Sequence, residues 1–265
     1  MEALSDTPES CRGQTTPKAT AAEANTRELV DSFSQYFEIV PATTSALQEM
    51  VFRIRYQVYA EELGWEDQTQ FPAELEKDEY DDHSLHCLLK HKLSGSYIGC
   101  VRLVQNNPEQ PHAWFPIEQT FDTDFVQTHP SLASHHRHQV GEISRIAVLS
   151  SFRHRHGEKN KPNTDIEDGQ NAQSGERRRF PHIALGLYLA AGAMGIANGN
   201  TCVFAMMEPK LARRLRIFGI KFEQLSDPIE HRGLRAPFVV THENFCGSFA
   251  PPMTALLDHI SASVA

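Results

Sequence analysis

The residues best suited to chemistry lie in one short run, residues 141–148, where a carboxylate, a hydroxyl and a guanidinium begin an apolar, β-prone segment. Glu142, Ser144 and Arg145 supply these groups. Because side chains alternate between the two faces of a strand, the spacing predicts Glu142 and Ser144 on one face and Arg145 on the other. The expected neighbours are Ile146 and Val148 on the first face, and Ile143 and Ala147 on the second. Charge at the start of an apolar strand costs free energy unless it is paired or used, so the run is either a reaction site or an ion pair that fastens the strand.

Further charged and aromatic residues precede this run. They are Arg55 and Tyr59 at helical spacing, Trp65, the acidic residues Asp78 and Asp81, and Arg102 inside a predicted strand. Each has an ordinary structural explanation when it is taken alone. A strand arginine usually pairs with a carboxylate, an acidic run is usually solvated, and a tryptophan after a helix usually packs against it.

Length and charge limit the classes of function. The 265 residues fit one ordinary domain with extensions. A net charge of −9 argues against nucleic acid as a partner.

Five scattered cysteines without a C-x-x-C pair predict neither a disulfide framework nor a zinc site, which favours a cytoplasmic location. The histidines cluster in polar, irregular segments, so no metal site is predicted. No signal peptide is expected, and the apolar stretch at 183–197 is too short for a membrane span.

The chain is predicted to form a single α/β domain at residues 36–250. A disordered leader is expected at 1–35, a flexible insertion at about 153–179, and a C-terminal helix or tail at 251–265. Predicted strands are 37–40, 85–90, 97–104, 142–149, 201–207, 220–225 and 236–241. Predicted helices are a first one from Thr44 or Ser45 to Gly64, then 181–198 and 209–218.

The order of the motifs resembles that of a known family. Arg55-x-x-Val58-Tyr59, Gly64-Trp65-Glu66, Glu76-x-Asp78-x-x-Asp81, Gly99-Cys100-x-Arg102-Leu103 and Glu142-x-Ser144-Arg145 resemble the acyl-homoserine-lactone (autoinducer) synthases. Residues 208–219 and 233–238 resemble the acyltransferases associated with the PEP-CTERM/exosortase system, which are related to the long-chain N-acyl amino acid synthases. Together the two resemblances cover residues 37–245. They imply the GNAT acyltransferase fold, a mixed, mostly antiparallel central sheet flanked by helices.

The resemblance also implies roles for individual residues. Glu142 would be the base that deprotonates an amine, with Ser144 and Arg145 as its support, and the amine would attack an acyl thioester directly. The N-terminal cover over the substrates would comprise Arg55, Tyr59, Trp65, Asp78 and Asp81. Arg102 would either pair with these acids or hold the carboxylate of the acceptor. Phe204 and Met206 would line the slot for the acyl chain.

The acyl donor is expected to be an acyl carrier protein, with acyl-CoA as the alternative, and no bound cofactor is expected. CoA-dependent GNAT enzymes usually follow the central strand with a glycine-rich loop for the pyrophosphate, whereas residues 150–157 here are polar and charged. An acidic carrier protein needs a basic docking surface. The candidates are Arg153, Arg155, Arg177, Arg178 and Arg179, or Arg213, Arg214 and Arg216.

The sequence therefore favours an N-acyl amino acid synthase, an enzyme with a small-molecule amine as acceptor. Two alternatives stay open. One is an acyl-homoserine-lactone synthase that uses S-adenosylmethionine, and the other is a non-catalytic GNAT-like domain that binds lipid or acyl chains. Peripheral contact with a membrane surface and the choice between monomer and homodimer are also left open.

Overall fold

The computed structural model describes residues 21–153 and 180–264, with the side chains of 21–27 and 180–182 left aside. Its centre is an eight-stranded sheet in the order β1-β2-β3-β4-β5-β8-β6, in which β7 pairs with β8. The strands are β1 Phe37–Pro41, β2 Ser84–His91, β3 Tyr97–Gln105, β4 Val140–Val148, β5 Cys202–Met207, β6 Glu223–Gln224, β7 Ile229–Glu230 and β8 Leu234–Thr241. The β4–β5 pair is parallel and the other pairs are antiparallel. This confirms the predicted mixed, mostly antiparallel α/β sheet.

Helices cover both faces of the sheet. They are α1 Ala21–Tyr36, α2 Ser45–Tyr56, α3 Pro116–Phe121, α4 Phe125–Thr128, α5 Ser150–Arg153, α6 Phe180–Ala197, α7 Pro209–Ile217, α8 His242–Cys246 and α9 Pro251–Val264. Short 3₁₀ turns lie at Gln68–Gln70, Glu79–His83, Pro130–Leu132 and Arg137–Gln139. The largest apolar core lies under α1, α6 and α9, and two smaller cores lie under α2 and under α3 with α4 on the opposite face.

The first predicted helix is present, with one of its two predicted starting residues as the N-terminal cap and with an altered last turn. Thr44, rather than Ser45, caps it, since its side chain accepts a hydrogen bond from the Leu47 N–H at 3.3 Å. The helix then widens into a π-helical segment, Gln57–Glu62, a form common at functional sites. Gly64 ends the element with a φ of +62°, a left-handed conformation that glycine adopts without steric cost.

The expectation of a disordered leader is wrong for residues 21–35, which form most of α1, while residues 1–20 lie outside the described part. Phe33 anchors this helix in the main core with 1% of its surface exposed. It lies so close to Gly186 of α6 that an added Cβ there would be 2.6 Å from the ring. Helix α9 packs on the same core through Leu256 and Ile260 and so belongs to this domain.

Two other predicted segments are affected by what the structure describes. Residues 154–179, where an insertion is predicted, lie outside the described residues, as do the docking candidates Arg155, Arg177, Arg178 and Arg179. The strand predicted at 220–225 is wrong for most of its length, because Ile220 and Phe222 are buried in the main core outside any strand and only Glu223–Gln224 pair with β8.

A β-bulge in β4 overturns the predicted arrangement of side chains on that strand. Ser144 pairs with Arg102 and Ala147 pairs with Cys100, so two residues, Arg145 and Ile146, lie opposite a single residue of β3. Arg145 adopts a left-handed conformation with a φ of +50°. The extra residue resets the alternation, so that Val148 packs in the same core as Ile143 and not on the face of Glu142. Arg145 consequently points toward the acidic segment instead of sharing a face with Ile143 and Ala147.

The burial of α1 yields a stability prediction. We expect Phe33→Ala to lower the free energy of unfolding by about 3–5 kcal/mol, because it removes a buried aromatic ring and leaves a cavity. Chemical denaturation measures this loss, and Gln35→Ala on the exposed side of the same helix is the matched control. Equal, small effects of the two substitutions would contradict the packing of α1 on the core.

Candidate active site

A cavity of about 510 Å³ opens where β4 and β5 separate. The two strands pair from Val140 with Cys202 to Ile143 with Ala205, and no further pair joins them in the described structure. Eight of the residues singled out from the sequence line this cavity, namely Tyr59, Trp65, Asp78, Arg102, Glu142, Ser144, Arg145 and Met206. Arg55 and Asp81 lie beneath its wall, and Phe204 lies elsewhere.

A buried network of ion pairs forms one wall. Arg55 donates to Glu76 through Nε and to Asp81 Oδ1 through Nη1 at 2.6 Å. Arg102 Nη1 lies 2.5 Å from Asp78 Oδ1 and 3.1 Å from Asp81 Oδ1. The guanidinium of Arg145 contributes a third cation, with its Nε 3.1 Å from Glu76 Oε1. Three guanidinium groups thus face three carboxylates.

The acidic segment is shaped to present these carboxylates. Asp78 caps the 3₁₀ turn Glu79–His83 by accepting from the Tyr80 N–H at 3.0 Å, and Asp81 Oδ2 accepts from the Asp78 N–H at 2.8 Å. Burial by itself would raise the pKa of Asp81, but the charges of Arg55 and Arg102 outweigh it and hold that pKa well below its usual range. The same balance, with Arg55 and Arg145 as the main cations, lowers the pKa of Glu76.

Arg102 is engaged with acids in this structure. Besides Asp78 and Asp81, its Nε donates to Ser144 Oγ at 3.0 Å. Its side chain is 1% exposed. The sequence left two roles open for Arg102, pairing with acidic residues or binding the carboxylate of the acceptor. The structure shows the pairing, with Asp78 and Asp81.

Glu142 differs from the other carboxylates of the site. It is 2% exposed, and its Oε2 accepts a hydrogen bond from the Ile117 N–H in the first turn of α3 at 2.9 Å. No ion pair to it is found among the described residues. Burial raises the pKa of Glu142 from 4.5 to about 8, an effect that the Ile117 N–H and the charge of Arg102 only partly offset. A carboxyl that titrates near neutrality can accept a proton from an ammonium group.

Two stacked aromatic rings cover the bulge. The rings of Tyr59 and Trp65 lie 5.8 Å apart with an angle of 14° between their planes. The stack forms because the chain turns back after the π-helical segment, where the Trp65 N–H donates to the Tyr59 carbonyl at 2.8 Å. Tyr59 in turn donates through its hydroxyl to the carbonyl of Ile146 at 2.9 Å. The cover is therefore tied to the part of β4 that faces the cavity.

The apolar side of the cavity is formed differently from the prediction. Met206 lines it, but Phe204 is fully buried in the core under α3, where its ring lies 5.8 Å from that of Phe115. Phe204 and Met206 share one face of β5. Phe204 lies where β5 is still paired with β4, opposite Glu142, whereas Met206 lies beyond the last β4–β5 pair and so faces the cavity. The remaining apolar lining comes from Ala184 and Tyr188 of α6, Ala205 and Met207 of β5, and Leu211 of α7.

Several residues of the site were not singled out as site residues from the sequence. Glu76 is the central carboxylate of the network, and His231, Arg232 and Arg235 line the cavity from β8 and the turn before it. Arg232 pairs with Glu66 at 2.8 Å, and its guanidinium carbon lies 5.8 Å from the centre of the Trp65 ring. The motif at 233–238 could have indicated Arg235, because it places an arginine at the start of a strand.

The segment that follows β4, Ser150–Arg153, binds a carboxylate of the same chain, that of Glu62. Glu62 accepts hydrogen bonds from the Ser150 N–H at 3.0 Å and from the Ser150 hydroxyl at 2.9 Å, and it pairs with the guanidinium of Arg153. The backbone at the start of α5 is thus occupied by a carboxylate.

Within residues 21–153 and 180–264, no group of three or more His, Cys, Asp or Glu side chains is placed to hold a metal ion. Over the same part of the chain, none of the helices has the length and apolar character needed to cross a bilayer.

Comparisons with known proteins agree on the fold. The profile of the acetyltransferase (GNAT) domain family matches residues 54–160. No curated protein matches the sequence. The solved structure of FeeM, an N-acyl amino acid synthase from uncultured soil microbes, is similar with a TM-score of 0.52 at 9% identity, over 80% of this chain and 94% of that one.

Two further solved structures have similar TM-scores. BjaI, a CoA-dependent acyl-homoserine lactone synthase solved with SAM and isopentyl-CoA, has a TM-score of 0.50 at 19% identity, over 85% of this chain and 89% of that one. TofI, in a ternary complex with an inhibitor and MTA, has a TM-score of 0.50 at 16% identity, over 83% of this chain and 99% of that one. At these identities the structures show a shared fold. With the domain match, they support a GNAT-fold acyltransferase.

The ion-pair network yields a second stability prediction. We expect Asp81→Asn to lower the free energy of unfolding at pH 7 by about 3–5 kcal/mol, because it leaves two buried guanidinium groups without their shared partner. Asp82→Asn is the matched control, since the Asp82 side chain is 76% exposed and its pair with Lys77 should contribute no more than about 1 kcal/mol. Denaturant titration compares the two, and a similar small loss for both would contradict the buried network.

Proposed function

We propose that this protein transfers a long-chain fatty acyl group from an acyl carrier protein to the amine of an amino acid. The observation that carries the proposal is Glu142, a buried carboxyl with a pKa of about 8 that lines the gap between β4 and β5. The resemblance of residues 208–219 and 233–238 supports the subgroup associated with the PEP-CTERM/exosortase system. The fold of FeeM supports the same reaction class.

The thioester would lie in the gap between the two strands. On the β5 side, residues 144–148 have no partner strand in the described structure, so their backbone is free to contact a substrate there. Backbone N–H groups in this position would stabilise the oxyanion that forms when the amine attacks the carbonyl. The hydrogen bond from the Tyr59 hydroxyl to the Ile146 carbonyl would hold the backbone of this segment in its bulged conformation.

Glu142 would serve as the proton acceptor. The amine enters as ammonium, loses a proton to the Glu142 carboxylate through a water molecule, and attacks the thioester carbon. The C–N bond forms first and gives the tetrahedral oxyanion. The C–S bond then breaks as the carbonyl re-forms, and the second proton lost by the nitrogen leaves with the thiol of the carrier. Ser144 and Arg145 support this arrangement by holding Arg102 and Glu76 in place.

The acyl chain would lie along the apolar side of the cavity. Ala184 on α6 leaves room there, and Met206 and Met207 adapt to a flexible chain because thioether side chains have many conformations. The structure thus supports Met206 as an acyl contact, while Phe204 would act only through the packing of α3.

Two features favour a carrier protein over CoA as the donor. First, Glu62 occupies the backbone at the start of α5, where its negative charge would repel a pyrophosphate. Second, α7 and the residues after it present Arg213, Arg216 and Lys221 on the surface around Ile217, an apolar residue that is 70% exposed. A basic patch with an apolar centre suits an acidic helical partner.

A lactone synthase that uses S-adenosylmethionine is the second candidate, favoured by the motifs at 55–145 and by the fold shared with BjaI. Mass spectrometry of lipids from a host that expresses the chain separates the candidates. Long-chain N-acyl amino acids support the proposal, acyl lactones support the second candidate, and no new lipid supports a domain that only binds acyl chains.

The role of Glu142 gives the central prediction. We expect Glu142→Gln to abolish the new lipid and to lower kcat/KM about 100-fold or more, because the amide cannot accept the proton. The free energy of unfolding at pH 7 should change by less than about 1 kcal/mol, since a neutral amide replaces a carboxyl that is mostly neutral at that pH. Equal losses of turnover and stability would contradict the base.

The pH dependence of Glu142 has a defined sign. In the wild type, kcat/KM should rise with pH and level off above about 8, where the carboxyl is ionised. Stability should show the opposite trend between about 4.5 and 8, because in that range the native state holds a proton that the unfolded state has lost. Both trends should be absent or weaker in Glu142→Gln.

The docking surface is tested by charge reversal. We expect Arg216→Glu to raise the KM for acyl carrier protein about tenfold or more and to leave the KM for an acyl-pantetheine unchanged, because only the whole carrier contacts α7. Arg53→Glu makes the same change of charge on α2, away from the cavity, and should leave both constants unchanged. If Arg216→Glu and Arg53→Glu behave alike, α7 is not the docking surface.

A further inference from the structure

Arg235 is a cation of the cavity that has no anionic partner among the described residues. Its guanidinium lines the cavity from the start of β8, with its central carbon 5.2 Å from the centre of the Trp65 ring. The Nε is buried and makes no hydrogen bond, and Arg235 takes part in none of the ion pairs found among the described residues. Glu208, an acid that also lines the cavity, is paired with Lys210 at 2.8 Å.

The other arginines around the cavity are already neutralised. Arg102 and Arg145 bind the acidic segment, Arg153 binds Glu62, and Arg232 binds Glu66. Arg235 is thus the cation of the cavity, among the residues described, that has a charge left for a ligand.

An unpaired guanidinium in such a place is unfavourable unless something binds it. Removing a charge from water costs free energy that a counter-charge normally offsets. Burial lowers the pKa of Arg235, the direction expected for a cation that lacks a resident anion. A cation–π contact with Trp65 helps to hold the guanidinium in place, and a guanidinium can bind a planar carboxylate through two N–H groups.

Arg235 also lies on the face of the sheet that carries the reactive carboxyl. Phe204 pairs with Glu142 on one side and with Val239 on the other, and Met206 pairs with Pro237. Residues two apart on a strand share a face, so Arg235, Pro237 and Val239 lie on one face of β8. Through the pairs named above, this is also the face of Glu142 and Met206. A molecule bound at Arg235 would therefore extend into the gap where β4 and β5 separate.

From these observations we propose that Arg235 binds the carboxylate of the acceptor, so that the site selects amines that bear a carboxylate. This deepens the proposed function and rests on it for the identity of the acceptor. The guanidinium would hold the carboxylate through two N–H groups, with the amine directed toward the thioester. Arg235 is a specificity-determining residue in this arrangement, a role that the sequence had left open for Arg102.

The anion could instead be the phosphate of the donor's pantetheine arm, which a guanidinium also binds. The two sources differ in which ligand loses affinity when Arg235 is changed. A binding assay that needs no turnover separates them and also keeps the result independent of the acyl-transfer reaction.

The test uses N-dodecanoylglycine, its uncharged analogue N-dodecanoylglycinamide, and 4′-phosphopantetheine as probes, with calorimetry at pH 7.5. We expect the wild type to bind the acid about ten- to a hundredfold more tightly than the amide. Arg235→Gln should remove this preference and leave the affinities for the amide and for phosphopantetheine unchanged. Arg53→Gln, at an exposed position of α2, is the control and should keep the preference.

The proposal would be overturned by the absence of a preference in the wild type, by a preference that survives in Arg235→Gln, or by a loss of affinity for phosphopantetheine alone. An equal loss for acid and amide would also overturn it, since it would mean that Arg235 only shapes the cavity. Absence of acyl transfer by the wild type, with the carboxylate preference intact, would instead count against the proposed function and leave the carboxylate site standing.

Discussion

The network centred on Arg55 is the interaction on which the rest of the site depends. Its cations come from three separate elements, with Arg55 on α2, Arg102 on β3 and Arg145 in the bulge of β4. Its carboxylates all come from one short stretch, Glu76 to Asp81. Because a buried charge without a partner is costly, the acidic stretch must fold down over the sheet wherever these arginines are buried. The network thus fixes the acidic stretch, α2 and β4 relative to one another.

The bulge in β4 is the local change that makes this possible. Without the extra residue, strict alternation would send Arg145 into the core with Ile143, where none of the described carboxylates lies. A left-handed conformation at a non-glycine residue costs roughly 1–2 kcal/mol. The pair between Arg145 and Glu76 stabilises the conformation. The same bulge presents the Ile146 carbonyl to Tyr59, so one inserted residue serves both the ion pairs and the aromatic cover.

The sequence predicted the elements better than it predicted their details. Helical spacing placed Arg55 and Tyr59 on one helix, and motif order brought Asp78, Arg102 and Glu142 to a common site, as the structure shows. Period-two reasoning could not foresee a bulge, because one extra residue leaves no mark in an apolar pattern. Nor could it tell that Phe204 is covered by α3 while Met206 is open, since that depends on where β4 and β5 part. Helix α1 was missed because its few apolar residues become significant only against α6 and α9.

The neutralisation of the arginines explains how Glu142 can titrate near neutrality beside so many cations. Arg102 is close enough to lower the pKa of Glu142, but its charge is largely cancelled by Asp78 and Asp81. If the acidic stretch were absent, the unopposed charge of Arg102 would favour the ionised carboxylate and lower its affinity for a proton. The ion pairs of the cover therefore do more than hold the chain in place. They let burial dominate at Glu142, and a carboxyl governed by burial is the one suited to receive a proton from an amine.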